Sequence, residues 1–279
     1  MGINQDNSLI LEPTDERMVP EYSDADTFWE HIHRYSFAAK WVRDKRVLDI
    51  ASGEGYGCCG LLNAGAKRVI GVDIDEIACA HAARKYNIDA RVGSAEAIPI
   101  DTASIDVAIS FETIEHVPNP ERFVQEISRV LSPDGLFIIS TPDKNLYSPQ
   151  GKDRNPYHCW EMTAEEFQTL LASAFSTISL FGQRPHSAKW WSPISLISET
   201  CPWDRIASVA QLRRRLWSKW NPQRVTPVSD VERQNPVDCI LSGKGSWLER
   251  AVDWSAVRPL SRSGGWSPIF LIAVARKKN

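Results

Sequence analysis

The stretch that decides the fold is Val47–Gly57, which reads Val-Leu-Asp-Ile-Ala-Ser-Gly-Glu-Gly-Tyr-Gly. Its first four residues belong to a short apolar run that is typical of a buried parallel strand. Gly53, Gly55 and Gly57 follow at alternate positions, and glycine lets a backbone turn sharply and come close to a ligand. Because the next residues can form a helix, the pattern predicts a nucleotide-binding crevice at the carboxyl end of a parallel sheet.

Two classes of cofactor fit this stretch. The spacing of Gly55, Gly57 and Gly60 matches the dinucleotide fingerprint, although such a match alone is weak. Against a dinucleotide, Asp49 precedes the loop, and Gly53 comes earlier than that fingerprint would place the first glycine. Asp73, at the end of the predicted second strand, can hydrogen-bond the ribose hydroxyls of either cofactor.

Several motifs together resemble the class I methyltransferases that use S-adenosylmethionine (SAM). Their first motif is an acidic residue followed by Gly-x-Gly, as in Asp49 to Gly55, and residues 131–142 read Leu-Ser-Pro-Asp-Gly-Leu-Phe-Ile-Ile-Ser-Thr-Pro, a string that a dehydrogenase does not need. The resemblance covers residues 16–182 and 266–277. It implies an α/β, Rossmann-like sheet of seven strands, with the last strand antiparallel and inserted between the fifth and sixth.

The resemblance divides the chain into four parts. Residues 1–45 are predicted to form an N-terminal arm (1–15) and a lid helix (16–45), 46–182 the SAM-binding core, 183–265 an inserted substrate-side subdomain, and 266–279 the last core strand. Within the core, a helix is predicted over 76–86. The insertion holds most of the eleven tryptophans and an excess of Lys and Arg. A basic amphipathic helix predicted within 205–220 can lie on a membrane surface, although such a helix more often packs on its own domain.

The resemblance also implies a cofactor site along the ends of the first four strands. Arg34 or Tyr35, on the lid helix, is expected to meet the methionine carboxylate. Ser94 stands where the family has an Asp that takes the adenine amino group, and a hydroxyl can still accept a hydrogen bond there. The residues assigned to the cofactor are Arg34, Tyr35, Asp49, Ala51, Gly53, Glu54, Gly55, Asp73, Ile74, Ser94, Ala95, Glu96 and Phe111.

A polar cluster follows the fourth predicted strand. Its Glu112-x-x-Glu115-His116 pattern resembles ubiquinone-pathway O-methyltransferases and small-RNA 3′-end 2′-O-methyltransferases, in which the motif binds a divalent ion. His158 is the candidate for a last ligand, and such a donor set suits Mg²⁺ or Mn²⁺. Two alternatives stay open. One is metal-free catalysis with His158 or His116 as general base and Glu112 also assigned to catalysis. In the other, Glu115 and His116 are a solvated helix start, and Glu112 only touches the cofactor.

The function implied is transfer of a methyl group from SAM to a hydroxyl of a sugar or glycan precursor. The pattern Glu30-His31-x-x-Arg34-Tyr35 resembles a branch of bacterial methyltransferases linked to glycan biosynthesis. The alternatives are a lipid quinone or catechol acceptor, an RNA 3′ end, and a catalytically silent SAM-binding scaffold. RNA ranks last because the insertion has no recognisable RNA-binding module, and nothing predicts DNA binding. The pattern does not predict an oligomeric state.

Composition places the chain among ordinary globular proteins. Its formal net charge is −3, and no apolar run approaches the length of a membrane span. The N-terminus has no signal-peptide core, and the six cysteines are scattered without a Cys-x-x-Cys pair. These features predict reduced thiols and a cytoplasmic location.

Overall fold

The apolar runs predicted as strands assemble into one mixed sheet. The computed structural model describes residues 17–20, 23, 25–149, 155–183, 258–260 and 269–278, and within them eight strands join this sheet. The strands are β1 (Arg46–Ile50), β2 (Arg68–Asp73), β3 (Asp89–Val92), β4 (Ile105–Phe111), β5 (Leu131–Pro142), β6 (Phe175–Gln183), β7 (Arg258–Pro259) and β8 (Phe270–Lys277). Their order is β3-β2-β1-β4-β5-β8-β6-β7.

The strand directions confirm the predicted methyltransferase sheet. Strands β1 to β5 pair in parallel, and β8 runs antiparallel between β5 and β6. The two-residue β7 adds an edge strand against β6 that the sequence did not predict. The strand order reverses between β1 and β4, so a ligand crevice is expected where the carboxyl ends of these strands diverge.

Helices cover both faces of the sheet because neighbouring strand residues point to opposite sides. They are α1 (Ala25–Ala38), α2 (Tyr56–Asn63), α3 (Glu76–Tyr86), α4 (Pro120–Val130), α5 (Lys144–Tyr147) and α6 (Ala164–Ala172). Val47 and Val69 share a core with α1, α2 and α3, whereas Leu48 and Ile70 share the opposite core with α4 and α6. The sheet therefore carries an apolar core on each face, as a parallel α/β fold requires.

The lid helix is shorter than the sequence predicted. One helix was expected over 16–45, but α1 begins at Ala25, and a 3-10 turn at Ala39–Trp41 follows it. Pro20 has no backbone N–H to continue a helix, and Ser23 closes a separate turn by bonding Val19 through both its backbone and its hydroxyl. The segment before β1 thus contains a turn at residues 19–23, followed by helix α1.

The predicted insertion lies mostly outside the described residues. Gln183 completes β6, and Arg258–Pro259 forms β7, so residues of the sheet extend into both ends of the predicted 183–265 segment. The helix predicted within 205–220 and the arm over 1–15 fall outside the described part of the chain. In that described part, no helix combines the length and apolar character needed to cross a membrane.

Candidate active site

The glycine loop between β1 and α2 leaves room for a ligand on one side and packs tightly on the other. Gly53 and Gly55 have φ angles of 54° and 92°, which L side chains rarely adopt. A Cβ at Gly55 would lie 2.7 Å from Ala82 Cβ and 2.8 Å from Ile88 Cδ1, whereas one at Gly53 would meet, among the described residues, Arg17 alone, at 3.7 Å. Gly55 is therefore needed for packing, and Gly53 faces more open space.

The acid at the end of β2 organises the next part of the site. Asp73 accepts the Gly53 N–H at 2.8 Å and the Asp75 N–H at 3.0 Å, which ties the glycine loop to the start of α3. The side chain of Ile74 beside it is 77% exposed and presents an apolar surface at this edge. Arg17 pairs with Asp75 at 2.6 Å and reaches over Gly53. Acid and apolar surface together suit a ribose and its base.

A buried network lies under the glycine loop. Asp49 accepts hydrogen bonds from the Tyr35 hydroxyl at 3.0 Å and from the Cys58 thiol at 3.3 Å. Burial raises the pKa of Asp49 to about 7, although these donors oppose the rise. The Tyr35 ring also fills the space above Gly57, where a Cβ would collide with it. The contact predicted between Tyr35 and the methionine carboxylate stays a prediction, and the structure engages this hydroxyl with Asp49.

Arg34 is the most buried cation near the site, with its side chain 1% exposed. Its Nε donates to Gln183 Oε1 at 2.7 Å, its Cζ lies 4.4 Å from the centre of the Phe270 ring, and one terminal nitrogen is 3.8 Å from Glu112 Oε2. The other terminal nitrogen is buried without a hydrogen-bond partner among the residues that the structure describes. An unsatisfied guanidinium nitrogen fits the prediction that Arg34 meets an anionic group.

Two of the assigned acids have other partners. The Glu54 carboxylate is fully buried and contacts Lys85, Tyr86 and His81, so only its backbone remains to meet a cofactor. The Glu96 carboxylate accepts the Asn119 N–H at 2.8 Å. These contacts connect loops and helices of the protein itself.

The other assigned positions lie on the same edge of the sheet. Ser94 Oγ accepts the Glu96 N–H at 3.1 Å, so this hydroxyl already holds a turn. Ala51 is exposed with a positive φ, Ala95 packs against the core, and Phe111 is buried edge-to-face against Tyr35. These positions stay predictions, and Ala51 and Phe111 flank the crevice between β1 and β4.

Glu112 and Glu115 follow β4 in different environments. Glu112 adopts a positive φ of 50°, accepts a hydrogen bond from Ser140 Oγ on β5, and donates its own N–H back to that oxygen. Glu115 is 1% exposed and accepts from Thr141 Oγ1 at 3.2 Å. Burial and the neighbouring Glu112 charge raise the pKa of Glu115, while Arg34 opposes the rise. A buried acid of this kind favours a positively charged partner.

Glu115 meets two histidines. One ligand atom from each of Glu115, His116 and His158 lies within 4.8 Å of the others, and the two imidazole rings stand edge-to-face at 4.9 Å. His116 Nδ1 lies 3.1 Å from the Tyr157 carbonyl oxygen, which can only accept. The neutral His116 ring therefore carries its proton on Nδ1 and its lone pair on Nε2, as ligating histidines commonly do. The structure brings together three of the four predicted metal ligands.

The loop that carries His158 is held against the segment that carries Glu115. The N–H groups of Cys159 and Trp160 both donate to the Glu115 carbonyl, at 2.7 and 3.0 Å. The Trp160 indole N–H donates to the Pro118 carbonyl at 3.0 Å. Backbone hydrogen bonds thus hold the histidines together.

Several residues at the site were not predicted, and four of them contact predicted residues directly. Arg17 covers the glycine loop, Ser140 supports Glu112, Gln183 holds Arg34, and Glu161 lies 3.2 Å from His158 Nδ1. Glu161 follows His158 by three residues, and this spacing was a usable signal in the sequence. The Arg34–Gln183 contact joins residues 149 positions apart, so no local pattern could reveal it.

The chain resembles known methyltransferases in sequence and in fold. A family model described as a methyltransferase domain matches residues 48–139. A probable SAM-dependent methyltransferase of Mycolicibacterium smegmatis is 39% identical over 61% of this chain and 67% of that protein. A ubiquinone biosynthesis O-methyltransferase of Chelativorans is 32% identical over 43% of this chain and 49% of that protein. The chain thus spans about two thirds of the first relative and half of the second.

A solved structure supports the fold independently. A SAM-dependent methyltransferase from Thermotoga maritima superposes with a TM-score of 0.53, covering 90% of this chain and 93% of that one at 19% identity. At that identity the likeness concerns the fold alone. The sequence match over two thirds of a relative, the family model and the strand order agree, and the chain belongs to the family of SAM-dependent methyltransferases.

Proposed function

We propose that this methyltransferase methylates a hydroxyl group of a sugar or glycan precursor, with help from a bound Mg²⁺ or Mn²⁺ ion. The observation that carries this proposal is the cluster of Glu115, His116 and His158 at the carboxyl end of β4. Vicinal hydroxyls, which sugars offer, can chelate a cation held by such a cluster. The choice of a sugar rests on the resemblance of the Glu30–Tyr35 pattern to glycan-linked methyltransferases.

The residues of the crevice fit SAM. Gly53 leaves space for a close approach, Asp73 supplies a carboxylate for ribose hydroxyls, and Ile74 supplies an apolar surface for the base. Arg34 has an unsatisfied nitrogen for the methionine carboxylate. When bound, SAM would supply a methyl group to the acceptor oxygen, with the methyl–sulfur bond breaking to leave S-adenosylhomocysteine and the acceptor proton passing to a base.

The residues after β4 fit a divalent cation and a proton acceptor. Glu115, His116 and His158 would hold the ion, with Glu112 close to them, and the ion would lower the pKa of an acceptor hydroxyl. His158 or His116 is placed to receive the proton in a mechanism without metal. In both mechanisms the protein contributes mainly by fixing the acceptor in line with the donor.

A lipid quinone or catechol is the second candidate acceptor. The observation in its favour is that several relatives are named ubiquinone biosynthesis O-methyltransferases. A catechol also offers two adjacent oxygens to a cation, so the cluster does not distinguish it from a sugar. It would require access to a membrane, for which the predicted helix within 205–220 is the candidate surface.

The reducing compartment predicted from composition is part of the proposal. Among the described residues, Cys58, Cys59, Cys79 and Cys159 are all thiols rather than half-cystines. This supports a cytoplasmic location, where thiols stay reduced.

Calorimetric titration tests the cofactor and the metal separately. The full chain, its Glu115→Gln variant and the exposed control Glu165→Gln are each titrated with SAM, with Mg²⁺ and with Mn²⁺. We expect SAM to bind all forms and the metal to bind wild type and Glu165→Gln only. Failure of SAM to bind would contradict the proposed methyltransferase activity. Binding of SAM without metal binding would contradict the metal-assisted mechanism and leave the metal-free mechanism, with His158 as general base.

An acceptor panel tests the substrate class. Purified chain is incubated with labelled SAM and either sugars with vicinal hydroxyls, their monodeoxy analogues, catechols, or RNA ends. We expect transfer to the vicinal diol sugars and little to the deoxy analogues. Transfer to catechols alone would favour the quinone candidate, transfer to RNA the RNA alternative, and SAM binding without turnover on any acceptor would favour a scaffold.

A further inference from the structure

A chain of polar side chains ends on His158. Ser148 Oγ donates to Glu161 Oε2, and Glu161 Oε1 lies 3.2 Å from His158 Nδ1. The side chains of His158 and Glu161 are 4% and 5% exposed, so the contact is shielded from water. The Tyr147 ring stacks on the imidazole at 5.4 Å between centroids. The Tyr147 ring thus holds the face of the His158 imidazole, and Glu161 holds its Nδ1 edge.

The direction of these hydrogen bonds determines the tautomer of His158. A carboxylate oxygen has no proton to donate, so the Nδ1 atom that faces Glu161 must carry the hydrogen. Nε2 then carries the lone pair of the neutral ring. His116 reaches the same state through the Tyr157 carbonyl. Both histidines of the cluster therefore present the same kind of nitrogen, although a side chain orients one and a backbone oxygen the other.

We propose that Glu161 is a positioning residue that fixes the tautomer and ring orientation of His158, so that its Nε2 serves as ligand or base. This inference rests on the proposed function, since it assigns the residue that makes His158 competent for it. A carboxylate behind a ligating histidine fixes the ring and raises its basicity, and loss of such a partner commonly lowers metal affinity or activity by about 10- to 100-fold.

The direct test is the tautomer itself. The full chain is labelled with ¹⁵N-histidine, and two-bond ¹H–¹⁵N correlations are recorded at a pH where the rings are neutral, with His158→Gln identifying the signals of His158. We expect an Nδ1–H ring in wild type and a shift towards Nε2–H in Glu161→Leu. The exposed Glu165→Gln variant, on the first turn of α6, should match wild type. An unchanged His158 pattern in Glu161→Leu overturns the inference.

A second readout separates positioning from folding. With Mn²⁺ as probe and with turnover on the acceptor found above, we expect Glu161→Gln to lose about 10- to 100-fold in metal affinity or kcat. SAM affinity should stay unchanged, and Glu161→Asp should restore part of the loss. If Glu161→Leu does not fold, Glu161→Gln takes its place. The proposal is then contradicted when Glu161→Gln matches wild type in both the tautomer of His158 and kcat. If wild type binds no Mn²⁺, the metal part of the proposed function fails, and the tautomer still decides on Glu161.

Discussion

Two glycines of the same loop should respond to alanine in different ways. At Gly55, alanine would hold an L residue at φ 92° and place its Cβ 2.7 and 2.8 Å from Ala82 and Ile88. Left-handed strain costs about 1–2 kcal/mol and overpacking about 1–3 kcal/mol, so Gly55→Ala should lose roughly 2–5 kcal/mol of unfolding free energy. At Gly53 the Cβ meets Arg17 alone among the described residues, at an ordinary distance, and the loss should be the strain of about 1–2 kcal/mol.

The affinity for SAM should follow a different pattern. If the cofactor backbone lies against Gly53, a methyl group there occupies its space, and Gly53→Ala should weaken SAM binding by at least about tenfold, or 1.4 kcal/mol. The assay is urea unfolding without ligand together with calorimetric SAM titration of each folded variant. Equal stability of the two variants would refute the packing argument for Gly55. Unchanged SAM affinity in Gly53→Ala would refute the close approach of the cofactor.

Three further perturbations follow from buried charges. Because burial raises the pKa of Asp49 to about 7, the folded chain keeps a proton between about pH 4 and 7 that the unfolded chain has lost. The free energy of unfolding should therefore fall as pH rises through this window and level off above it. Urea unfolding at a series of pH values measures this fall, and Asp49→Asn should flatten it. Glu54→Gln removes the charged partner of Lys85 and should cost about 3–5 kcal/mol in unfolding free energy. The SAM affinity of the folded protein should stay unchanged. A large loss of SAM affinity would instead support the predicted contact between Glu54 and the cofactor. Arg34→Met leaves Glu112 and Gln183 without their cation and should weaken SAM binding as well as stability; intact SAM affinity would show that another group takes the methionine carboxylate.

The core of the fold could be predicted because its signals are local. Apolar runs bounded by turns gave β1 to β5, and the helix expected over Glu76–Tyr86 has those bounds in the structure. Its start is fixed by Asp75, whose side chain accepts from the N–H groups of Ile77 and Ala78. The start of α1 was predicted too early, although Pro20 lacks the backbone N–H that a continuous helix needs there.

The identity of the site residues could be predicted more readily than their partners. The Glu-x-x-Glu-His pattern and His158 were found as isolated motifs, and the structure brings Glu115, His116 and His158 together. The resemblance assigns Glu54 and Glu96 to the cofactor, and these assignments stay predictions, since in the structure both carboxylates contact protein groups. A motif fixes where the backbone lies, whereas the direction of a long side chain depends on residues that pack around it from elsewhere in the chain.

The burial of the polar groups after β4 is itself an argument for their use. Glu115 is 1% exposed and lies near a second acid, an arrangement that costs stability unless a cation or a proton compensates it. Arg34 compensates part of the charge, but its nearest approach is to Glu112, at 3.8 Å, which is long for an ion pair between buried groups. A helix start without function would place such acids in water, where they cost nothing. The fold instead closes the 155–160 loop over Glu115 with two backbone hydrogen bonds, and so places the acid beside two histidines. That arrangement becomes favourable when a proton or a further positive charge compensates the acid, and the divalent cation that we propose would be one such charge.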